Sequence, residues 1–126
     1  MAIKGLGIDV VKISRISAQI RRNHDRLAKY ILTEIELGEF YESIFPDRFL
    51  AKRFAVKEAA AKALGVGISQ GVKFGDFHTN NDSLGRPILT VSGKSKEIAL
   101  KKDIISYHLS ISDEKNYVVA TVIYES

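Results

Sequence analysis

The spacing of apolar positions changes character several times along this chain, and each change marks an element. "AIKGLGID" mixes β-branched residues with glycine and predicts a strand over Ala2–Ile8 that ends at Asp9. Beyond it, Ile13, Ile16 and Ile20 recur at helical spacing. Leu27 and Ile31 keep that phase if the helix runs through "RNHD", a candidate break. A second helix starts at Thr33, because "TEIE" places Glu36 three residues after a capping threonine. A third begins near Pro46–Asp47 and runs to Leu64, with Gly65 where a left-handed residue closes a helix.

The rest of the chain is mostly strand-like. "GVKFGDFHT" and "RPILTVS" predict two strands joined by the turn-rich "NNDSLG", and Ser92 is placed to cap a short helix over "KSKEIALKK". "IISYHLSIS" and "YVVATVIY", joined by Asp113–Asn116, predict a terminal hairpin. The order β-α-α-α-β-β-α-β-β favours an α+β fold over a doubly wound parallel sheet. No repeat or linker divides the chain, so residues 1–126 are read as one domain.

Composition narrows the function classes. The chain has no cysteine, which excludes disulfides, thiolate metal sites and cysteine nucleophiles. Apolar residues make up 45% and charged residues 27%, the balance of a folded globular domain. No apolar run reaches membrane-spanning length and the N-terminus does not read as a signal peptide, so a cytoplasmic protein without membrane contact is expected. The net charge of +4 suggests an acidic or phosphorylated partner, a feature shared with many enzymes.

Candidate chemistry concentrates in the third helix. Leu50, Phe54, Glu58 and Lys62 are four residues apart and form one stripe. A surface Glu–Lys pair is the common reading of such spacing. Here, however, the stripe opens with Leu50 and Phe54, which should face inward, and Ala59, Ala60, Ala61 and Ala63 permit close approach by another element. A carboxylate so placed needs a cation partner. The second carboxylate is Asp9, where Gly5 and Gly7 let another backbone or a ligand come near; capping the following helix is its simpler role. Together Asp9 and Glu58 suit Mg²⁺, with Lys62 facing a phosphate. The glycines of "GVG" would leave backbone amides open to that phosphate. The set points to phosphoryl-type transfer.

"GLGIDVVKISRI" followed by "RFLAKRFAVKEAAAKALGVGI" resembles the two signature segments of the holo-[acyl-carrier-protein] synthases, the short type of 4′-phosphopantetheinyl transferase. The likeness covers essentially the whole chain, including "GRP" and the closing "HLSISDEKNYVVATVI". It implies transfer of phosphopantetheine from coenzyme A to a serine of an apo-acyl carrier protein, with release of adenosine 3′,5′-bisphosphate, in fatty acid biosynthesis. It also implies a Mg²⁺ requirement and a homotrimer with active sites between subunits. Carried over, the metal ligands are Asp9 and Glu58, the phosphate-facing lysine is Lys62, and all three are the catalytic candidates. Coenzyme contacts fall on Phe54, Gly65, Gly67, Gly85, Arg86 and Pro87, with Arg53 also within reach of a phosphate. Plain turn chemistry explains Gly85–Pro87 about as well. One departure stands out: many members carry a second histidine five residues after the first, and here Asp113 follows His108. A structural role is expected for His108, inside an apolar strand.

The carrier's docking face is expected on the first helix. On an ideal helix Arg15, Arg22, Arg26 and Lys29 lie opposite Ile13, Ile16, Ile20 and Leu27. Acyl carrier proteins are acidic and the family uses arginines in this region, so Arg15, Arg22 and Arg26 are the carrier-binding candidates. A nucleic-acid-binding module is the first alternative, but no binding motif is present and aromatics do not interleave with the basic residues. A Mg²⁺-dependent pyrophosphohydrolase is the second, and such enzymes show denser carboxylate clusters.

Overall fold

The computed structural model describes all 126 residues. Strand β1 (Ile3–Lys12) leads into helices α1 (Ile13–Asn23), α2 (Arg26–Ile31), α3 (Glu34–Glu42) and α4 (Pro46–Ala63). Strands β2 (Phe77–Asn81) and β3 (Pro87–Val91), helix α5 (Gly93–Lys101), and strands β4 (Ser106–Asp113) and β5 (Tyr117–Glu125) complete the chain. The α+β class and the element order agree with the sequence reading, and the first helical segment is divided at the "RNHD" break. His24 there takes φ +57, a positive-φ conformation at the end of α1, and its amide donates a hydrogen bond to the Ile20 carbonyl.

The main sheet is antiparallel in the order β1-β5-β4, and β2 pairs with β3 as a separate antiparallel hairpin. Helix α4 lies across the inner face of the main sheet, and the strand glycines set how closely. A Cβ on Gly5 would sit 1.9 Å from the Ala63 carbonyl oxygen, and one on Gly7 1.9 Å from that of Ala59. Neither space exists, so the glycines fix β1 directly on the backbone of α4. The alanines at 55, 59, 60 and 63 are fully or almost fully buried and keep the helix side thin enough for this contact. Tyr124 of β5 anchors the same interface, its hydroxyl donating to the Ala60 carbonyl at 2.8 Å.

Several boundaries differ from expectation. β1 runs on to Lys12, so Asp9 is a mid-strand residue opposite Ala120 of β5, not a strand end. Nor does it cap α1, whose N-cap is Lys12 without a side-chain bond. "GVKFGDFHT" becomes strand only at Phe77, after a short 3-10 turn over Phe74–Asp76. Ser92 does sit at the N-cap of α5, but its hydroxyl donates to the Asp76 carbonyl instead of capping. Asp76 holds that helix end, accepting from the Ser95 amide and, at 2.7 Å, its hydroxyl. The capping box of Thr33 and Glu36 forms as read.

Candidate active site

Alternation along β1 decides where Asp9 points. Gly7 and Val11 are buried against α4, whereas Leu6, Ile8 and Val10 are exposed on the outer face. Asp9 therefore shares the inner row, a carboxylate between two core positions, with its side chain 16% exposed. Lys62, near the C-terminal end of α4, reaches it: Nζ is 3.0 Å from Asp9 Oδ1 and donates also to the Ile8 carbonyl at 3.1 Å. Lys62 thus bridges to the strand, not to its helical neighbour Glu58.

Glu58 is half-buried beside this pair. Burial pushes its carboxyl above the ordinary carboxylate range, the Asp9 charge adds to that, and Lys62 opposes it. Two carboxylates that repel one another, one already desolvated, are relieved by a cation placed between them. Their hard oxygen donors suit Mg²⁺, which takes one or two carboxylates and fills its other positions with water and phosphate oxygens. The chain gathers no group of three or more metal-ligating side chains.

Past the helix, Gly65 takes φ +91 and Gly67 φ +65, conformations that favour glycine. Their amides are spoken for: Gly65 donates to the Lys62 carbonyl at 2.9 Å and Gly67 to that of Ala61 at 3.2 Å. The expectation that both amides stay open for a phosphate is corrected, since closing α4 consumes them. Nothing lies within 4 Å of where a Gly67 side chain would be, so the space itself is free. Lys102 donates to the Leu64 carbonyl and brings another ammonium to this end of α4.

The other coenzyme candidates lie apart. Gly85 (φ +86) and Arg86 lie in the β2–β3 turn and Pro87 opens β3; the turn is organised by Asp82, whose Oδ1 accepts from the Leu84 and Arg86 amides at 2.9 Å. Arg86 and Pro87 line a small cleft with Tyr107, His108 and Leu109. Pro87 also borders a cleft of about 310 Å³ that includes Arg48, Lys52 and Arg53 of α4. No cleft of the single chain is lined by Asp9, Glu58 or Lys62. Phe54, half-buried, packs on Phe74 with ring centroids 5.9 Å apart.

Arg15 and Arg22 are exposed on α1 as expected, but the break puts Arg26 on α2, so the three do not share one helix face. Arg26 instead borders a cleft with Gln19, Asn23, Leu27 and Tyr30. His108 is exposed rather than a core strand residue, its Nε2 3.2 Å from Glu125 Oε1 on the neighbouring strand. Asp113 binds Arg48 and, at 2.8 Å, Lys52; Arg48 also donates to the Glu114 and Lys115 carbonyls. Burial opposes it, but those hydrogen bonds hold the Asp113 carboxyl below its usual range. The aspartate ties the last hairpin to α4.

Sequence reasoning missed a buried ion pair. Lys57 Nζ donates to Glu36 Oε1 at 2.8 Å, and to the Phe74 and Phe77 carbonyls at 3.0 and 2.8 Å. A signal existed: Leu50, Lys57 and Leu64 are seven residues apart, so two leucines that must be buried bracket the lysine on one stripe.

The family model of the 4′-phosphopantetheinyl transferase superfamily matches residues 5–122. A curated holo-[acyl-carrier-protein] synthase of Vibrio campbellii is 55% identical over 126 residues, the whole of both chains. The crystal structure of holo-[acyl-carrier-protein] synthase from Neisseria meningitidis superposes with a TM-score of 0.91 at 38% identity, covering 99% of this chain and 100% of that one. The Helicobacter pylori synthase, solved in complex with coenzyme A, gives 0.80 at 30% identity, with 95% and 99% covered. The chain belongs to the 4′-phosphopantetheinyl transferase superfamily.

Proposed function

We propose that this chain transfers the 4′-phosphopantetheine group of coenzyme A to a serine of an apo-acyl carrier protein, releasing adenosine 3′,5′-bisphosphate, and so serves fatty acid biosynthesis. The observation that carries the reading is the pairing of Asp9 and Glu58, with Lys62 beside them, in a chain alike end to end with a curated synthase.

In this reading Asp9 and Glu58 hold Mg²⁺, which when bound supplies positive charge to the diphosphate of coenzyme A. Lys62 turns from Asp9 toward the phosphate and offsets the charge that grows on the departing bisphosphate. Glu58 is the candidate base for the serine hydroxyl proton, acting directly or through a water, as a carboxylate that already stands within the site. Phe54, Gly65, Gly67, Gly85, Arg86, Pro87 and Arg53 contact the coenzyme. Arg15, Arg22 and Arg26 meet the acidic carrier and set its on-rate.

A homotrimer with shared sites fits two features. Leu6, Ile8 and Val10 form an apolar row that is 63%, 54% and 59% exposed along an edge strand, a surface suited to another copy. The Asp9–Glu58 pair and the Gly85–Pro87 turn also line no common cleft within one chain. No helix is long and apolar enough to cross a membrane, and a chain without cysteine suits the reducing cytoplasm we propose for it.

Intact mass measurement of an apo-acyl carrier protein tests the reaction after incubation with this protein, coenzyme A and Mg²⁺. One added phosphopantetheine, lost with chelator, is expected. No gain on several carriers from a folded protein overturns the assignment.

A further inference from the structure

Arg53 is nearly buried and poorly satisfied. Its side chain is 12% exposed, and its Nε is buried without a hydrogen-bond partner. The Phe49 ring lies against the guanidinium, with the central carbon 4.8 Å from the ring centroid. The carboxylate oxygen facing it, Glu36 Oε2, stands 3.4 Å from Nε and is likewise buried without a hydrogen bond. A buried guanidinium nitrogen held by charge alone, without a hydrogen bond, is costly, and a ligand that accepts from the outer nitrogens offsets part of that cost. The cleft of about 310 Å³ that Arg53 lines also carries Arg48 and Lys52, and the polar side chains of Thr79 and Asn81.

Glu36 is rigidly held behind it. Oε1 accepts from the Thr33 amide at 3.0 Å and from Lys57 Nζ at 2.8 Å. The Lys57 ammonium gives its remaining protons to the Phe74 and Phe77 carbonyls, so neither partner can turn away. His78 Nδ1 is 3.8 Å from Oε2 on the far side. One carboxylate oxygen is therefore spent on the fold, and the other is presented to Arg53 alone among the permanently charged side chains.

We propose that Glu36 is a positioning residue for coenzyme binding. Through Oε2 it holds Arg53 against Phe49, with the outer nitrogens of the guanidinium turned to the cleft, where they take a phosphate group of coenzyme A in the fork geometry that arginine favours. The proposal rests on the transferase reading and on Arg53 as a phosphate contact. It gives Glu36, the third residue of α3 and the acidic member of its capping box, a second task.

The test is a binding cycle in coenzyme A, read by calorimetry on the whole protein, for the wild type, Arg53→Ala, Glu36→Gln and the double variant. Arg53→Ala is expected to weaken binding by at least about tenfold, and Glu36→Gln by roughly tenfold, with the double variant no weaker than Arg53→Ala alone. Turnover at saturating coenzyme A should change little in Glu36→Gln, so the loss appears in KM. A Glu36→Gln effect that persists in full on the Arg53→Ala background is a general loosening of the fold and overturns the positioning role. Wild-type affinity in Arg53→Ala overturns it too, by removing Arg53 from the phosphate, while phosphopantetheine transfer by the same variant would leave the reaction assignment standing. If Glu36→Gln is unfolded by thermal melting, Glu36→Met with Lys57→Met replaces the buried pair by apolar isosteres. That variant should show the same loss of coenzyme affinity, and wild-type affinity in it contradicts the proposal.

Discussion

The Lys62 ammonium sits 3.0 Å from Asp9 Oδ1, so a lysine pairs with a carboxylate that our account gives to the metal. The lysine and a cation then compete. Lys62→Met should bind Mg²⁺ several-fold more tightly without coenzyme A, the scale of a half-exposed ion pair, yet turn over about a hundredfold more slowly. Magnesium titration calorimetry beside steady-state rates reads both effects. Weaker Mg²⁺ binding in the variant would mean that Lys62 supports the metal instead of competing with it.

Glu58 carries the pH dependence. Its carboxyl is raised in the folded chain by burial and by Asp9, from an ordinary value of 4.5. The metal-free folded state therefore holds a proton that the unfolded chain has released, and stability falls as pH rises from that ordinary value through the raised one. Glu58→Gln should remove this component, so the melting temperature of the variant minus that of the wild type grows as pH rises above 4.5. Mg²⁺ affinity should move the other way and weaken as pH falls through the same window. Parallel melting curves for the two proteins would count against a raised carboxyl.

Gly7 governs the spacing of the site. An added Cβ meets the Ala59 carbonyl oxygen at 1.9 Å and the Ala63 amide nitrogen at 2.8 Å, both backbone atoms that cannot step aside. Gly7→Ala is expected to cost about 3 kcal/mol in denaturant unfolding, because α4 must lift from β1. What remains folded should lose activity more than coenzyme affinity, since Asp9 is carried by the strand and Glu58 by the helix.

The exposed row on β1 supplies the assembly prediction. Ile8→Lys places a charge among Leu6, Val10 and the neighbouring strand on the outer face of the sheet. The wild type is expected to sediment as a trimer, and the variant as a monomer with near-wild-type melting behaviour. A monomeric wild type would remove the shared-site reading.

Much of this was legible in the sequence because local rules decided it. The Thr33–Glu36 capping box, the closing role of Gly65 and the terminal hairpin are set by neighbours a few residues away, and all three formed. Glu58 and Lys62 were singled out by a helical stripe, Asp9 by its place after the Gly5 and Gly7 strand, and all three by a family resemblance. That Asp9 faces inward, and that Lys62 reaches it in preference to Glu58, depends on the register of β1 on α4. The two glycine contacts help to define that register. The Glu36–Lys57–Arg53 cluster was missed for the same reason: its members lie on α3 and α4 and bind carbonyls beside β2. The glycine amides after α4 were misjudged because flexibility was read as availability, when the helix end needed those donors.

The most direct test of the account is calorimetric titration of Mg²⁺ into the protein with coenzyme A present, for the wild type, Asp9→Asn and Glu58→Gln. One Mg²⁺ site per chain, lost or weakened at least about a hundredfold in both variants, is the expected result. Wild-type Mg²⁺ binding in both would show that the strand carboxylate and the helix carboxylate do not form one site, and would contradict the mechanism built on them.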